Sequence, residues 1–402
     1  MKSYLDLLRT PGVGRIIAAQ LTARFPSGML SLAFLIHIEH LQGSYGAAGL
    51  VLAATSVGQA ISGPLTSRWM GIWGMRRVLI LTMTVCAVAI CTIALVSMTV
   101  PMYMVVGLIA GLNYPPVQPA VRTIYPKMVN STQLTPLFSL DASAQEIIWI
   151  AGPVITTFLA VQVSSTLAIL VAAVFLVGGG IWFISSPELG RVRIPRSRRA
   201  FGTVLRQPTV LLATVVGFLL VGSCAAVEAS VVSVFGQQGP QAGLVLAIWA
   251  IGSIIGGLSL GHVPISPWAL ARRMFIVFVG LSLAMLFLNF WWLAIALLVA
   301  GVGIAPALAV IFAIVSSSVK FSDTAEAYGW VGTGQLIGAA LGSAAAGFLI
   351  DAHGATGGFV AAACLALLGF IIPTIFRRSL PDLRGRDASP IPDTEPIPVQ
   401  PS

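Results

Sequence analysis

The chain is 402 residues long, 57% hydrophobic and only 9% charged, with a mean hydropathy of +0.95. Soluble domains carry about 25% charged residues, so a water-facing globular surface is excluded. The formal net charge of +9 lies in short gaps between apolar runs, without interleaved aromatics. Membrane topology and anionic lipid explain it, and a nucleic-acid partner is not expected.

A membrane-spanning helix needs about 20 apolar residues. In chain order the apolar runs predict twelve, at 12–38, 46–67, 77–98, 101–124, 137–161, 165–186, 208–235, 241–262, 271–290, 292–317, 327–350 and 355–376. Basic residues fall at the two ends (Lys2, Arg9, Arg15; Arg377, Arg378, Arg384, Arg386) and in every second gap. Those gaps hold Arg68, Arg76 and Arg77; Arg122 and Lys127; Arg191, Arg193, Arg196, Arg198, Arg199 and Arg206; Arg272 and Arg273; and Lys320. The intervening gaps hold none, and the one exception to the pattern is Arg24, which sits mid-segment. Positive charge kept on the cytoplasmic side gives an even number of crossings, with both termini inside. A multi-pass protein of the plasma (inner) membrane is therefore expected. Arg24 and Pro26 interrupt the first run and no clean small-x-small site follows, so a retained first helix is expected, not a cleaved signal.

The longest internal gap, 187–207, is rich in Pro and Arg and splits the spans six and six. It separates an N-terminal bundle (1–186) from a C-terminal bundle (208–378). Residues Ala48 to Gly63 align with Ala242 to Gly257 at a constant offset, and Gly49, Gly58 and Gly63 fall on Gly243, Gly252 and Gly257. Parallel repeats of this kind are expected where a substrate site lies between halves that rock against each other. Beyond Arg386 the chain carries Pro at 390, 392, 396, 398 and 401. A disordered cytoplasmic tail over 379–402 is expected.

The loop after the second span reads from Gly63-Pro64-Leu65 to Gly74-Met75-Arg76-Arg77. With the six-plus-six layout, it resembles the signature loop of the major facilitator superfamily of secondary transporters. Gly74, Arg76 and Arg77 match the end of that motif. The position of its aspartate falls on Gly71, that of the following arginine on Ile72 and that of the leading glycine on Ser67. The acidic latch associated in the family with holding the outward-facing state is thus missing. Gly152-Pro153 matches only the centre of a glycine-rich run found in many exporters of the family, since Ile148, Thr156 and Thr157 stand where glycines are expected. The resemblance implies an all-α integral membrane fold of twelve transmembrane helices in two pseudo-symmetric six-helix bundles. It also implies a cytoplasmic gate loop around Gly74, Arg76, Arg77 and Arg122.

A charge in the hydrocarbon core costs about 2.5–3.5 kcal/mol even on lenient scales, which singles out Arg24, Asp141, Glu146 and Glu228. Gln20, Arg24, Ser27 and Ser31 recur at helical spacing and share one face. Two readings stand for Arg24: a cationic site for an anionic group or carboxylate, and a structural ion pair. Glu146 lies at a similar depth, so pairing with Arg24 is feasible and would let a proton gradient drive substrate movement. Asp141 lies about 140° round the helix from Glu146, near the cytoplasmic end, where Arg122 or Arg76 and Arg77 would neutralise it in a structural or gate role. Glu228 is either an ordinary interfacial residue or has a substrate-pathway or outer-gate role. Asn113-Tyr114-Pro115-Pro116 and Gln118 must kink or unwind the fourth span, which is tolerated beside protein or a water-filled cavity. Trp149, Trp249, Trp330 and Gln335 are weaker pathway candidates, and Gly334, Gly338 and Gly342 allow close helix approach.

Cys86, Cys91, Cys224 and Cys364 lack metal-ligand spacing, and His37, His40, His262 and His353 fall at helix ends or in loops as expected surface residues. No metal site, nucleotide loop or hydrolase triad is legible, so neither an enzyme nor a cofactor is expected. The reading is a monomeric, proton-coupled exporter of a small organic solute working by alternating access. The alternatives are a nutrient importer or facilitator, and a non-transporting receptor or scaffold acting through its tail.

Overall fold

The computed structural model describes residues 2–197, 199–236, 241–386 and 388–393. Among them the backbone is helical or irregular, apart from one isolated bridge between Lys320 and Ile391. The first half comprises α1 (Lys2–Arg9), α2 (Val13–Arg24), α3 (Pro26–Gln42), α4 (Tyr45–Trp73), α5 (Met75–Leu95), α6 (Val100–Leu112), α7 (Val117–Ile124), α8 (Ser131–Ala144), α9 (Glu146–Gln162) and α10 (Ser165–Ser185). A short α11 (Pro187–Arg191) opens the linker. The second half comprises α12 (Pro208–Phe235), α13 (Gln241–Leu260), α14 (Ala269–Ala284), α15 (Phe290–Ser318), α16 (Thr324–His353) and α17 (Ala355–Ile375). Twelve spans result, because α2 with α3, α6 with α7 and α8 with α9 each make one broken crossing.

Differences from the expected boundaries have local causes. The second span runs to Trp73 because Thr66 and Ser67 turn their hydroxyls back onto the Ser62 and Gly63 carbonyls (2.7 and 2.5 Å). The polar stretch is thereby absorbed into the helix. Gly74, at φ +90°, then makes the reversal into α5. The fifth span starts at Ser131, where the Gln133 side chain accepts from the Asn130 backbone N–H. The ninth is only 16 residues, roughly 24 Å at helical rise, since Asn289 caps α15 by accepting from the Trp292 N–H (3.0 Å).

The three breaks all fall in the first half. Pro26 has no N–H to give to the carbonyl of Thr22, which takes the Phe25 N–H instead (3.3 Å), and Ser27 Oγ caps the Arg24 carbonyl at 2.8 Å. Pro115 and Pro116 stop α6, and the Asn113 side chain donates to the Ile109 carbonyl (3.0 Å). At Gln145 the chain passes from α8 to α9.

The second half packs without breaks in the corresponding spans. Gly334, Gly338 and Gly342 of α16 lie against Thr214, Phe218 and Gly222 of α12, where a Cβ would run into backbone. Lipid gives apolar helices no hydrophobic reason to associate, so such small-residue stripes supply the close packing instead. The internal repeat also holds in space. Gly58 rests on Leu108 and Gly111 of α6 as Gly252 rests on Leu298 of α15; Gly63 faces α16 as Gly257 faces α8; Gly49 and Gly243 both face open space.

The expected disordered tail is corrected for residues 379–393. The Leu383 N–H donates to the Ile265 carbonyl (2.9 Å), Ile391 pairs with Val319 and Phe321, and Asp393 accepts from Ser322 Oγ (2.6 Å). Leu380, Leu383 and Ala388 are buried, and these apolar side chains hold the proline-rich segment down. Residues 394–402 lie outside the described residues. His37 is likewise no surface residue: it is buried, within hydrogen-bond distance of Ser165 Oγ and the Ile93 carbonyl.

Candidate substrate passage

The three breaks surround one polar cluster. Asp141, fully buried, accepts at Oδ1 from Gln20 Nε2 (2.9 Å) and Tyr125 Oη (3.2 Å), and at Oδ2 from Arg122 Nε (3.1 Å). Arg24 Nη1 stands 3.6 Å from Asp141 Oδ1 and donates to Gln20 Oε1 (2.8 Å), while Nη2 donates to Gln145 Oε1 (2.9 Å). The Gln118 amide oxygen, turned toward the guanidiniums, accepts from Arg122 at 2.7 Å and Arg24 at 3.2 Å. Arg122 lies flat over the Phe312 ring of α15, 3.3 Å from its centroid. Two guanidiniums thus share one carboxylate, and the surplus positive charge is spread over amide oxygens, a phenol and a ring face. That is how ions are retained at membrane depth.

Arg24 therefore meets Asp141, and the expected Arg24–Glu146 pair is corrected. Gln145 at the α8–α9 joint points to Arg24, and Glu146, about 100° further round, turns the other way. Glu146 Oε1 accepts from Ser253 Oγ of α13 (2.8 Å), and the same hydroxyl accepts from the Ala305 N–H (3.2 Å). The carboxylate of one half is thus held by the other. Glu228 of α12 is exposed and lies within electrostatic reach of Glu146. Trp149 is 54% exposed, about 150° round α9 from the exposed apolar stripe of Ile147, Val154, Phe158 and Val161. The ring and the stripe therefore lie on different faces of α9.

The other pathway candidates divide. Ser31 is exposed and Tyr114 Oη is buried with no hydrogen-bond partner among the described residues, as is Gln335 Nε2 beside Gly217. These are free to meet a solute. Ser27 and Asn113 instead spend their side chains on backbone carbonyls freed at the breaks. Trp249 Nε1 and Trp330 Nε1 are buried without partners among the described residues.

The halves meet at the face that carries the linker. Thr333 Oγ1 donates to the Ala60 carbonyl (2.7 Å), Ser139 Oγ and Tyr4 Oη donate to the Gly257 carbonyl (2.6 and 3.2 Å), and Lys127 lies over Phe321 (4.9 Å). Arg68 Nη1 binds Glu326 Oε2 at 2.7 Å, and Glu326 Oε1 takes the Gly202 N–H of the linker (2.8 Å). Ser197 and Arg199 of the linker bind Asp323 at 2.5 and 3.7 Å. Most of these joints draw on α4, α13 and α16 or on the short segments that flank them, near the basic loops. Glu228, Ser31 and Trp149, by contrast, are exposed and make none of these joints.

A charge contact from the 63–77 loop to the other half is made by Arg68 with Glu326, a pair 258 residues apart that no local pattern reveals. Arg76 and Arg77 are exposed, Arg76 reaching only the Ser186 carbonyl at 3.4 Å. Arg122 leaves the gate loop altogether. Restarted after Pro116, α7 carries it inward, where it is 2% exposed. Gln145, Tyr125, Ser253 and Phe312 also escaped the sequence reading; only Gln145, adjoining Glu146 at a polar interruption, carried a local signal.

The sequence profile of the Major Facilitator Superfamily matches residues 16–288 and 235–398. Among solved structures, the human organic anion transporter MFSD10 (TETRAN) is 16% identical with a TM-score of 0.70, covering 90% of this chain and 98% of that one. The proton:xylose symporter XylE bound to 6-bromo-6-deoxy-D-glucose is 12% identical (TM-score 0.72; 94% and 97% covered). A bacterial homologue of the iron transporter ferroportin, in an outward-facing state, is also 12% identical (TM-score 0.71; 91% and 99%). No curated protein matches the chain. At these identities the neighbours establish the fold, and the profile, spanning nearly all of the twelve helices, establishes the family: this chain belongs to the Major Facilitator Superfamily and is a multi-pass membrane transporter.

Proposed function

We propose that this protein is a proton-coupled exporter of a small organic solute, working by alternating access in the plasma (inner) membrane with both termini in the cytoplasm. The observation that carries the reading is the Glu146–Ser253 hydrogen bond (2.8 Å), a carboxylate of one half held by a hydroxyl of the other. When the halves rock apart at that point, Glu146 loses its partner and meets a different aqueous phase, which is the condition for exchanging a proton once per cycle. Glu228, in the opposite wall, is a second proton-accepting group or a contact for the solute. Tyr114, Trp149, Ser31 and Gln335 line the route, and the Arg24–Arg122–Asp141 cluster holds the pivot of the first half.

A thermal-shift screen on the purified monomer supplies a solute for the transport test. In everted vesicles, its accumulation is expected to require an acidic interior and to collapse with a protonophore. Glu146→Gln is expected to abolish the dependence on the gradient. Accumulation indifferent to the gradient overturns proton coupling, and accumulation confined to right-side-out vesicles overturns export.

A further inference from the structure

At the surface, the α13–α14 loop and the segment after α17 line an open cleft of about 800 Å³. Arg272, Arg377, Arg378 and Arg384 line it together with Ser266 and Trp268. Its walls are fixed. Leu383 N–H is bonded to the Ile265 carbonyl and Thr209 Oγ1 to the Ser379 carbonyl (2.9 and 2.8 Å), and Leu380 and Leu383 are buried beneath.

The charge here is not balanced as it is elsewhere on the same face. Arg15 has Glu188, Arg68 has Glu326 and Arg199 has Asp323. In the cleft the one carboxylate, Asp382, is engaged by Arg384 through both oxygens (2.9 and 2.6 Å). Arg377 is stacked over Trp268 at 4.7 Å, Arg272 donates to Ser266 Oγ at 2.6 Å, and Arg378 has no hydrogen bond or ion pair among the described residues. Three guanidiniums without carboxylates, oriented by a ring, a hydroxyl and a folded-back tail, form a fork-shaped donor set that suits phosphate oxygens. Exposed apolar side chains adjoin it: Trp268 of the lining is 42% exposed, and Ile375 and Phe376, directly before Arg377 in the chain, are 66% and 55% exposed. Apolar neighbours and cationic lining together mark the level where acyl chains meet headgroups.

We propose that this cleft is a binding site for a phosphate-bearing anion, filled by the headgroup of an anionic phospholipid whose acyl chains lie along Ile375, Phe376 and Trp268. The same chemistry fits a soluble phosphate ester, and the test separates the two sources. It does not depend on the direction or coupling of transport.

The full chain in neutral detergent is titrated with dioleoyl phosphatidylglycerol, dioleoyl phosphatidylcholine and glycerol 3-phosphate, read by native mass spectrometry and thermal unfolding. Phosphatidylglycerol is expected to bind at one site and raise the unfolding temperature, with phosphatidylcholine giving neither effect. Arg272→Gln with Arg378→Gln is expected to weaken binding about tenfold or more, because two charge-assisted donors to the phosphate oxygens are lost. Arg378→Gln alone, at an exposed side chain with no partner to orphan, gives a smaller loss and guards against misfolding of the double variant. Equal response to glycerol 3-phosphate identifies a soluble occupant and keeps the site. Equal binding of both lipids, or unchanged phosphatidylglycerol binding in both variants, overturns it.

Discussion

The two halves share a repeat but solve the membrane problem differently. In the first half, spans one, four and five are each broken, and the breaks converge on Asp141 with its two arginines. In the second half the corresponding α12, α15 and α16 are continuous helices of 28, 29 and 30 residues, with α12 and α16 meeting along glycines. One half is thus a polar pivot whose stability depends on complete pairing. The other is a packed apolar block whose stability depends on shape. A shared ancestral layout does not impose a shared physical basis, and the difference makes the halves fail in different ways.

Removing charge should damage the first half most. Asp141→Asn leaves two buried arginines without their counter-ion, and breaking a buried pair costs about 3–5 kcal/mol. The expected outcome is a large drop in folded, membrane-inserted protein, read by fluorescence-detected size exclusion and thermal unfolding. Asp141→Asn combined with Arg122→Met should recover part of the loss, because one orphaned charge goes with its partner. A double variant no better than the single one would show that the cluster is not a coupled unit.

Adding volume should damage the second half most. Gly338→Val drives a side chain into the Phe218 backbone of α12, and overpacking of this kind costs about 1–3 kcal/mol. Unfolding temperature is expected to fall, while the residual folded protein keeps its transport activity. The same substitution at Gly49 or Gly243, which face open space, should cost far less. Equal losses at all three sites would erase the contrast between a packed block and a free surface.

How much of this contrast the sequence carries follows from the range of each interaction. The spans, the midpoint linker and the repeat are written in composition and spacing, and the Pro115-Pro116 break is local chemistry, so all were readable in advance. Arg24 was legible as an anomaly, since one ion in an apolar run needs a companion. Its companion was not. Glu146 and Asp141 sit five residues apart, and only the bend at Gln145 decides which one turns toward Arg24. Arg68 with Glu326, Glu146 with Ser253 and the docked 379–393 segment depend on how distant helices align, which no helical periodicity encodes. The tail misled because proline-rich composition argues for disorder, whereas buried Leu380, Leu383 and Ala388, with the Ile391 backbone bonds, hold it to a surface already built.

The joint between the halves should respond more mildly. Arg68 is 20% exposed at its side chain and Glu326 5%, so solvent screening discounts the pair to about 1 kcal/mol or less. Arg68→Ala is expected to leave stability nearly unchanged and to shift the conformational balance by about fivefold toward opening at the linker face. Thiol labelling of a cysteine placed at Thr333 reads this, since its hydroxyl bonds Ala60 only when that face is closed. Unaltered labelling would reduce the pair to a passive surface contact.

The smallest effect belongs to the tail. Arg384 holds the Asp382 carboxyl down at about 2, below the ordinary aspartate value of about 3.9. A depressed folded-state value means that the contribution is fully present above the unfolded value and fades as pH falls through the folded one. From pH 8 to about 4, the difference in Leu383 amide exchange between the native chain and Asp382→Asn should therefore be constant. It should close only as pH approaches 2. Leu383 is the reporter because its N–H is bonded to Ile265 across the fold-back. A difference that varied between pH 6 and 8 would place control of the tail with another titrating group and remove Asp382 from its anchoring.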